Sequence, residues 1–200
     1  YIAGSYGVVN GIPQYMTNVD HFTHESGFLY RNADLALLML EYGEKEGRKD
    51  IVDDALSVLT SQVEKEYAGG NQVFEFERSR AEGVHCILKA YRYLKKRGDE
   101  KREWLAFAER EAKHFLNTEE YFSVPLLCDL GIIKAAEEKA EKIWKKFSDM
   151  NFYGGIVDFL AEPVLDRESG YIGLYDFLTL YECTREAKWI ERAAFCADYL

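Results

Sequence analysis

The feature that most constrains this chain is an alternation between long irregular segments and pairs of amphipathic helices joined by short charged turns. From Phe28 onward, apolar residues recur at helical spacing, and the pattern stops and restarts at glycine-rich or charged positions. Two helices joined by a short turn fold back on each other so that both bury an apolar face. The sequence therefore predicts an all-α fold of consecutive antiparallel helical hairpins.

A single helical-hairpin domain or fragment, residues 1–200, is expected to contain five segments. These are an irregular N-terminal segment at 1–27, hairpins at 28–67 and 79–117, an irregular helical section at 124–149, and a hairpin at 171–200. The first segment is rich in glycine and polar residues, so we expect loop there with at most one short strand. In the first helix, Leu35, Leu38, Met39 and Tyr42 predict the apolar stripe.

Two of the hairpins open on nearly the same sequence, at residues 25–28 (ESGF) and 168–171 (ESGY). Each opening is followed by a helix with an early aspartate, Asp34 in one and Asp176 in the other, and residues 80–83 (RAEG) are a looser version. In all three hairpins a long loop precedes the first helix and a short turn precedes the second. This order places the long loops at one end of the helix array, where function normally concentrates.

The repeating unit consists of a long loop, an inner helix, a short turn and an outer helix. It resembles the hairpin of the six-hairpin glycosidase-like superfamily. Residues 32–56 and 170–193 are similar to hairpins of those proteins, whose fold is the (α/α)6 toroid. The resemblance covers most of 28–200 and rests on pattern, without a diagnostic catalytic motif. Known members include glycoside hydrolases, unsaturated glucuronyl hydrolases, polysaccharide lyases and sugar epimerases, whose long loops and inner-helix starts line a saccharide cleft. The resemblance implies a carbohydrate-active protein, with a glycoside hydrolase as the first expectation and no cofactor.

A complete toroid needs six hairpins, whereas this chain supplies three clear ones and a degenerate helical section. We therefore expect part of a ring, with apolar helix faces that require burial. The rest of a larger chain or a homo-oligomer is the expected cover.

Glycoside hydrolysis needs two carboxyl groups across the scissile bond, one as general acid and the other as base or nucleophile. The preferred catalytic candidates are Asp158 and Glu168 before the last hairpin, with Asp20 and Glu25 before the first. Solvated or structural carboxylates are the common alternative for any one of them.

Residues beside the long loops are candidates for binding the saccharide. They are His21, His24, Tyr30, Arg31, Tyr153, Arg167, Tyr171, Tyr175 and Asp176. In the superfamily, aromatic rings stack on sugars, and a guanidinium such as Arg31, Arg80 or Arg167 can pair with an acidic sugar's carboxylate. The alternatives are tyrosines that seal a helical core, arginines that pair with nearby glutamates, and aspartates that brace the loops. The order His21-x-x-His24-Glu25 matches no zinc motif, so no metal site is expected.

Charge and cysteine usage exclude several other classes of protein. The formal net charge of -10 argues against nucleic-acid binding and against a polybasic membrane surface. The four widely spaced cysteines, Cys86, Cys128, Cys183 and Cys196, are expected to be buried free thiols. Charge and cysteine usage leave open whether the chain binds a saccharide, another small molecule or a protein partner. The rival functions are a helical-repeat scaffold that binds a protein and a non-catalytic sugar-binding toroid domain.

Overall fold

Helices make up most of the described structure, which confirms the all-α prediction. The computed structural model describes residues 6–9, 12–15, 30–67, 77–118, 121–150 and 167–198. Its helices are α1 (Tyr30–Lys45), α2 (Lys49–Tyr67), α3 (Glu77–Lys95), α4 (Arg102–Phe115), α5 (Val124–Asp129), α6 (Ile133–Met150), α7 (Arg167–Thr184) and α8 (Ala187–Ala197). The chain divides into two compact units, Tyr1–Lys113 and His114–Leu200.

The N-terminal segment forms a β-hairpin from strands β1 (Tyr6–Val9) and β2 (Ile12–Tyr15). Tyr6 lies opposite Tyr15, and Val9 lies opposite Ile12. The expectation of at most one short strand in 1–27 is therefore wrong. Asn-Gly at positions 10–11, the dipeptide most typical of two-residue hairpin connections, is the sequence signal that predicts this pairing.

A buried hydrogen bond joins strand β2 to helix α1. The backbone N–H of Tyr15 donates to Oδ1 of Asn32 at 2.5 Å, and both residues are buried. The ring of Tyr6 packs against that of Tyr15 edge-on, with centroids 5.8 Å apart. Tyr15 of this hairpin therefore belongs to the packed core of the first unit.

Helices α1 and α2 form an antiparallel hairpin with a tight turn. Gly47 has a φ of +66°, a left-handed conformation that a residue with a Cβ adopts only at a cost. The turn is closed by the N–H of Arg48, which donates to the carbonyl of Gly43 at 2.7 Å. Gly43 also allows close approach of the two helices, because a Cβ added there would lie 2.9 Å from Cγ2 of Val52.

Helices α1 and α3 lie side by side and run parallel. The Cys86 thiol donates to Oδ1 of Asp34 at 2.7 Å, and the Tyr93 hydroxyl donates to Oε2 of Glu44 at 3.0 Å. The partners advance in the same direction along both helices, which fixes their relative orientation. The short turns that follow α1 and α3 therefore lie at the same end of this unit, as the alternation of connections predicts.

A buried ion pair joins the start of α3 to α4. Arg80 contacts Oε2 of Glu111 at 2.6 Å through Nη2, and Arg110 contacts Oε1 at 3.0 Å through Nε. The Glu111 side chain is only 3% exposed, so these two guanidinium groups replace the water that its carboxylate has lost. Arg80 thus pairs with a glutamate, although Glu111 lies 31 positions away on α4 and is not one of the glutamates adjacent to Arg80 in the sequence.

The second unit contains a helix where the sequence indicated irregular structure. Pro125 and Gly131 suggested a degenerate section, but residues 121–123 form a 3₁₀ turn and α5 follows it directly. Pro125 lies in the first turn of α5, where its missing N–H has no helical acceptor to lose. Buried residues of this region are Tyr121, Phe122, Val124, Leu126, Leu127 and Cys128.

Aromatic packing holds α6, α7 and α8 together. The ring of Trp144 lies edge-on to Phe177 at 6.1 Å and to Phe195 at 5.4 Å. Phe177 stacks on Trp189 at 5.9 Å, and the guanidinium of Arg192 lies 5.0 Å from Trp144 and 4.8 Å from Trp189. Each of these offset or edge-on ring pairs stabilises the unit beyond simple burial of area.

The apolar stripe expected on α1 is only partly the buried one. Leu38 and Tyr42 are 62% and 50% exposed, whereas Ala33, Ala36 and Leu40 are buried. The reason is that α1 packs against both α2 and α3. Close packing on two sides favours small side chains over large apolar ones.

Replacing Gly43 by alanine is expected to destabilise the protein, although alanine is the better helix former. The new Cβ would meet Val52 Cγ2 at 2.9 Å and the Val52 backbone nitrogen at 3.1 Å. We expect a net loss of about 1–2 kcal/mol in the free energy of unfolding, because overpacking outweighs the propensity gain. Urea denaturation measures this change.

The double variant Gly43→Ala/Val52→Ala provides the control, since it removes the nearest clashing carbon. Its loss should be smaller than the sum of the two single losses. Additive losses would show that α1 and α2 can separate freely at this position.

Arg80→Ala should destabilise the protein by about 2 kcal/mol, because it leaves the buried Glu111 carboxylate with one guanidinium instead of two. Arg80→Lys should recover only part of this loss, since an ammonium cannot reproduce the planar contact. Thermal unfolding measures both, with the exposed Arg102→Ala as control. Equal effects at positions 80 and 102 would contradict the importance of burial at Glu111.

Candidate functional site

One stripe along helix α7 carries three exposed side chains. The helix packs against α5, α6 and α8. The buried residues of α7 include Ile172, Asp176, Phe177 and Leu180. Tyr171, Tyr175 and Glu182 lie on the exposed stripe, at the spacing of one helix face. The stripe is therefore a part of α7 that a ligand can reach.

Two tyrosines form the apolar part of the stripe. Tyr171 is 55% exposed and Tyr175 is 37% exposed. Their ring centroids are 6.4 Å apart and their planes differ by 1°. Because they are one helical turn apart, the rigid backbone of α7 sets their spacing. Two parallel rings in partial contact with solvent can accept an apolar ligand face while the surrounding water remains available to hydroxyl groups.

Asp176 follows Tyr175 directly but points into the second unit. Its side chain is 1% exposed, and its negative charge is among the factors that raise the pKa of the Cys128 thiol, after burial and Cys183. Asp176 was a candidate for contacting the saccharide. Its burial assigns it to the interior of the unit, whereas the neighbouring ring of Tyr175 is accessible.

Asp34 and Asp176 do not occupy equivalent positions, although both lie early in hairpins with similar openings. Asp34 is exposed and Asp176 is buried. Asp34 comes seven residues after Gly27, and Asp176 comes six after Gly170. A one-residue offset rotates a side chain by about 100° around a helix, which is enough to move it from one face to another.

Asp34 instead takes part in a contact between helices of the first unit. Its carboxylate accepts the hydrogen bond from Cys86. Burial is the main cause that raises the pKa of Cys86 well above its ordinary value, and the charge of Asp34 raises it further. Cys86 therefore remains a protonated thiol and serves as a donor between α1 and α3.

Most of the remaining predicted site residues lie outside the described structure. Asp20, His21, His24, Glu25, Tyr153 and Asp158 belong to segments that are not described. For Tyr30, Arg31, Arg167 and Glu168, only the helical backbone position is described. The first two begin α1, and the other two begin α7. Glu168 thus lies three positions before Tyr171, at the same end of the helix. That the four predicted carboxylates converge on one cleft stays a prediction.

One pair of side chains was not anticipated from the sequence. After burial, the neighbouring Cys183 on α7 is the largest cause that raises the pKa of the Cys128 thiol on α5. Cys183 is exposed, which corrects the expectation that all four thiols are buried. The two cysteines are 55 positions apart, so no local motif relates them.

Within the described ranges, no group of three or more histidine, cysteine, aspartate or glutamate side chains could hold a metal ion. None of the helices described is long and apolar enough to cross a membrane.

Comparison with known proteins adds no family to this account: no family model, no curated protein and no solved structure matches the chain.

Proposed function

We propose that this protein is carbohydrate-active and binds a saccharide on the exposed stripe of α7. The observation that supports the proposal best is the parallel pair Tyr171 and Tyr175, exposed one turn apart on α7. Pyranose rings present C–H groups on their faces and hydroxyl groups at their edges. Aromatic rings attract the C–H faces, and water or nearby polar side chains satisfy the hydroxyl groups.

A neutral sugar is the favoured class of ligand. The protein has a formal net charge of -10, and Glu182 lies on the same stripe as the two tyrosines. A polyanionic saccharide would meet a repulsive field at this face. A neutral saccharide avoids that cost and can still use the carboxylate as a hydrogen-bond acceptor.

Hydrolysis of a glycosidic bond is the proposed reaction. Glu168 precedes the tyrosine pair by one turn of α7, and Asp158 precedes it in the chain. In this proposal one of the two carboxyl groups protonates the leaving oxygen while the other acts as base or nucleophile. Asp20 and Glu25 are the second candidate pair.

Substitution of the tyrosines tests saccharide binding. Tyr171→Ala and Tyr175→Ala should each weaken binding of a neutral oligosaccharide about tenfold, the loss expected for one ring contact of roughly 1.4 kcal/mol. Tyr171→Phe retains the ring and should bind almost normally. Calorimetric titration against a panel of glycans measures these affinities.

Tyr42→Ala is the matched control, because Tyr42 is also a half-exposed tyrosine on a helix but belongs to the first unit. It should leave the affinity unchanged. Absence of any saccharide binding by the folded wild-type protein would favour the protein-binding scaffold instead.

Removal of the proposed carboxyl groups tests hydrolysis separately. Asp158→Asn and Glu168→Gln should each lower kcat for release of reducing sugar by about a hundredfold or more, with KM little changed. The exposed Asp53→Asn is the control. Full activity of both variants would overturn this choice of pair, while binding at the tyrosines would be unaffected.

A further inference from the structure

We propose that one face of α1 binds the same face of a second copy of this chain, so that two α1 helices pack antiparallel about a two-fold axis. This face, the α1 stripe, consists of Asp34, Leu35, Leu38, Tyr42 and Lys45. The inference concerns the first unit alone and does not depend on saccharide binding at α7.

Exposed apolar side chains are the first observation behind this proposal. Leu38 is 62% exposed, more than any other large apolar side chain of the described residues, and Tyr42 is 50% exposed one turn further along the helix. Leu35 lies half-buried beside them. Helices α2 and α3 pack against other sides of α1 and leave these rings and methyl groups uncovered. All members of the α1 stripe lie within about 100° around the helix, so one partner surface can contact them together.

The two ends of the α1 stripe carry opposite charges. Asp34 lies at the N-terminal end and Lys45 at the C-terminal end, and both are exposed. An isologous interface brings a surface against itself, so its pattern must be complementary to its own reverse. When Leu38 lies opposite Tyr42 of an antiparallel second copy, Asp34 comes within about 1.5 Å, along the axis, of the level of Lys45 of that copy. The two-fold axis then forms each of these contacts twice.

The charges also select the orientation of the two helices. A parallel pair would place Asp34 beside Asp34 and Lys45 beside Lys45 of the second copy. Glu41, at the edge of the α1 stripe, lies one turn before Lys45 of its own helix, the spacing at which glutamate and lysine attract each other. The formal net charge of -10 opposes association of two copies at long range. The apolar contacts therefore supply the attraction, and the charged ends favour the antiparallel arrangement.

The size of the α1 stripe limits the strength of the dimer. A stable interface takes about 800 Å² from each partner, which is more than one face of about three helical turns presents. We therefore expect a weak dimer in rapid equilibrium with the monomer, populated as the protein concentration rises.

Sedimentation velocity of the full chain over a concentration series tests the proposal. The wild-type protein should shift from monomer to dimer as its concentration rises. Leu38→Glu should raise the dissociation constant about tenfold or more, because it places a carboxylate at the apolar centre of the interface on both copies. Leu116→Glu is the matched control, since Leu116 is also an exposed leucine, at 44%, outside the α1 stripe. It should dimerise like the wild type.

A second set of variants tests the antiparallel orientation. Lys45→Glu should weaken the dimer, because it places a glutamate opposite Asp34 of the second copy. Adding Asp34→Asn should recover part of the loss, since it removes the repulsion and keeps an oxygen that can accept the hydrogen bond from Cys86. Lys96→Glu, the same charge change at an exposed position after α3, should have no effect.

Three results would overturn the proposal. One is a folded wild-type protein that stays monomeric at every concentration, which would leave the α1 stripe to a different protein. Another is a Leu38→Glu variant that dimerises like the wild type, or a Leu116→Glu variant that weakens the dimer as strongly. The third is independent, additive effects of Lys45→Glu and Asp34→Asn, because the antiparallel pair requires these two positions to interact.

Discussion

Burial of the first helix of a hairpin on more than one side is the constraint on which the rest of this structure depends. In the first unit, α1 packs against α2 and α3, and in the second, α7 packs against α5, α6 and α8. A helix surrounded in this way needs small residues where a neighbour approaches closely, as at Ala33, Ala36 and Gly43. Its accessible side chains are those that the neighbouring helices leave uncovered, among them Tyr171 and Tyr175 on α7.

The helices could be predicted from the sequence because each hairpin has a strong apolar period and clear interruptions. The hairpins predicted at 28–67, 79–117 and 171–200 correspond to α1–α2, α3–α4 and α7–α8, whose outer bounds differ from the prediction by at most a few positions. The helical spacing of apolar residues did not by itself identify the buried side of α1, because Leu38 and Tyr42 follow the same spacing as buried residues of the helix. Only the positions of α2 and α3 distinguish an apolar residue that is buried from one that is exposed.

Other errors have equally specific causes. Helix α5 is six residues long, too short to show a period, and its Pro125 resembled a helix breaker although it lies in the first turn. Asp34 and Asp176 seemed equivalent because the openings of their hairpins match, yet an offset of one residue places them on different faces. Contacts between residues far apart in sequence, such as Cys86 with Asp34, depend on how helices pack and have no local signature.

Of the predicted site residues whose side chains the structure describes, Tyr171 and Tyr175 are exposed, and saccharide binding at these rings is the central claim. Titration of the protein with a neutral oligosaccharide, followed by NMR of isotope-labelled tyrosine rings, tests that claim most directly. The resonances of Tyr171 and Tyr175 should shift in proportion to saturation, while that of Tyr42 should remain unchanged. Saccharide-dependent shifts confined to other tyrosines, or none at all, would contradict it.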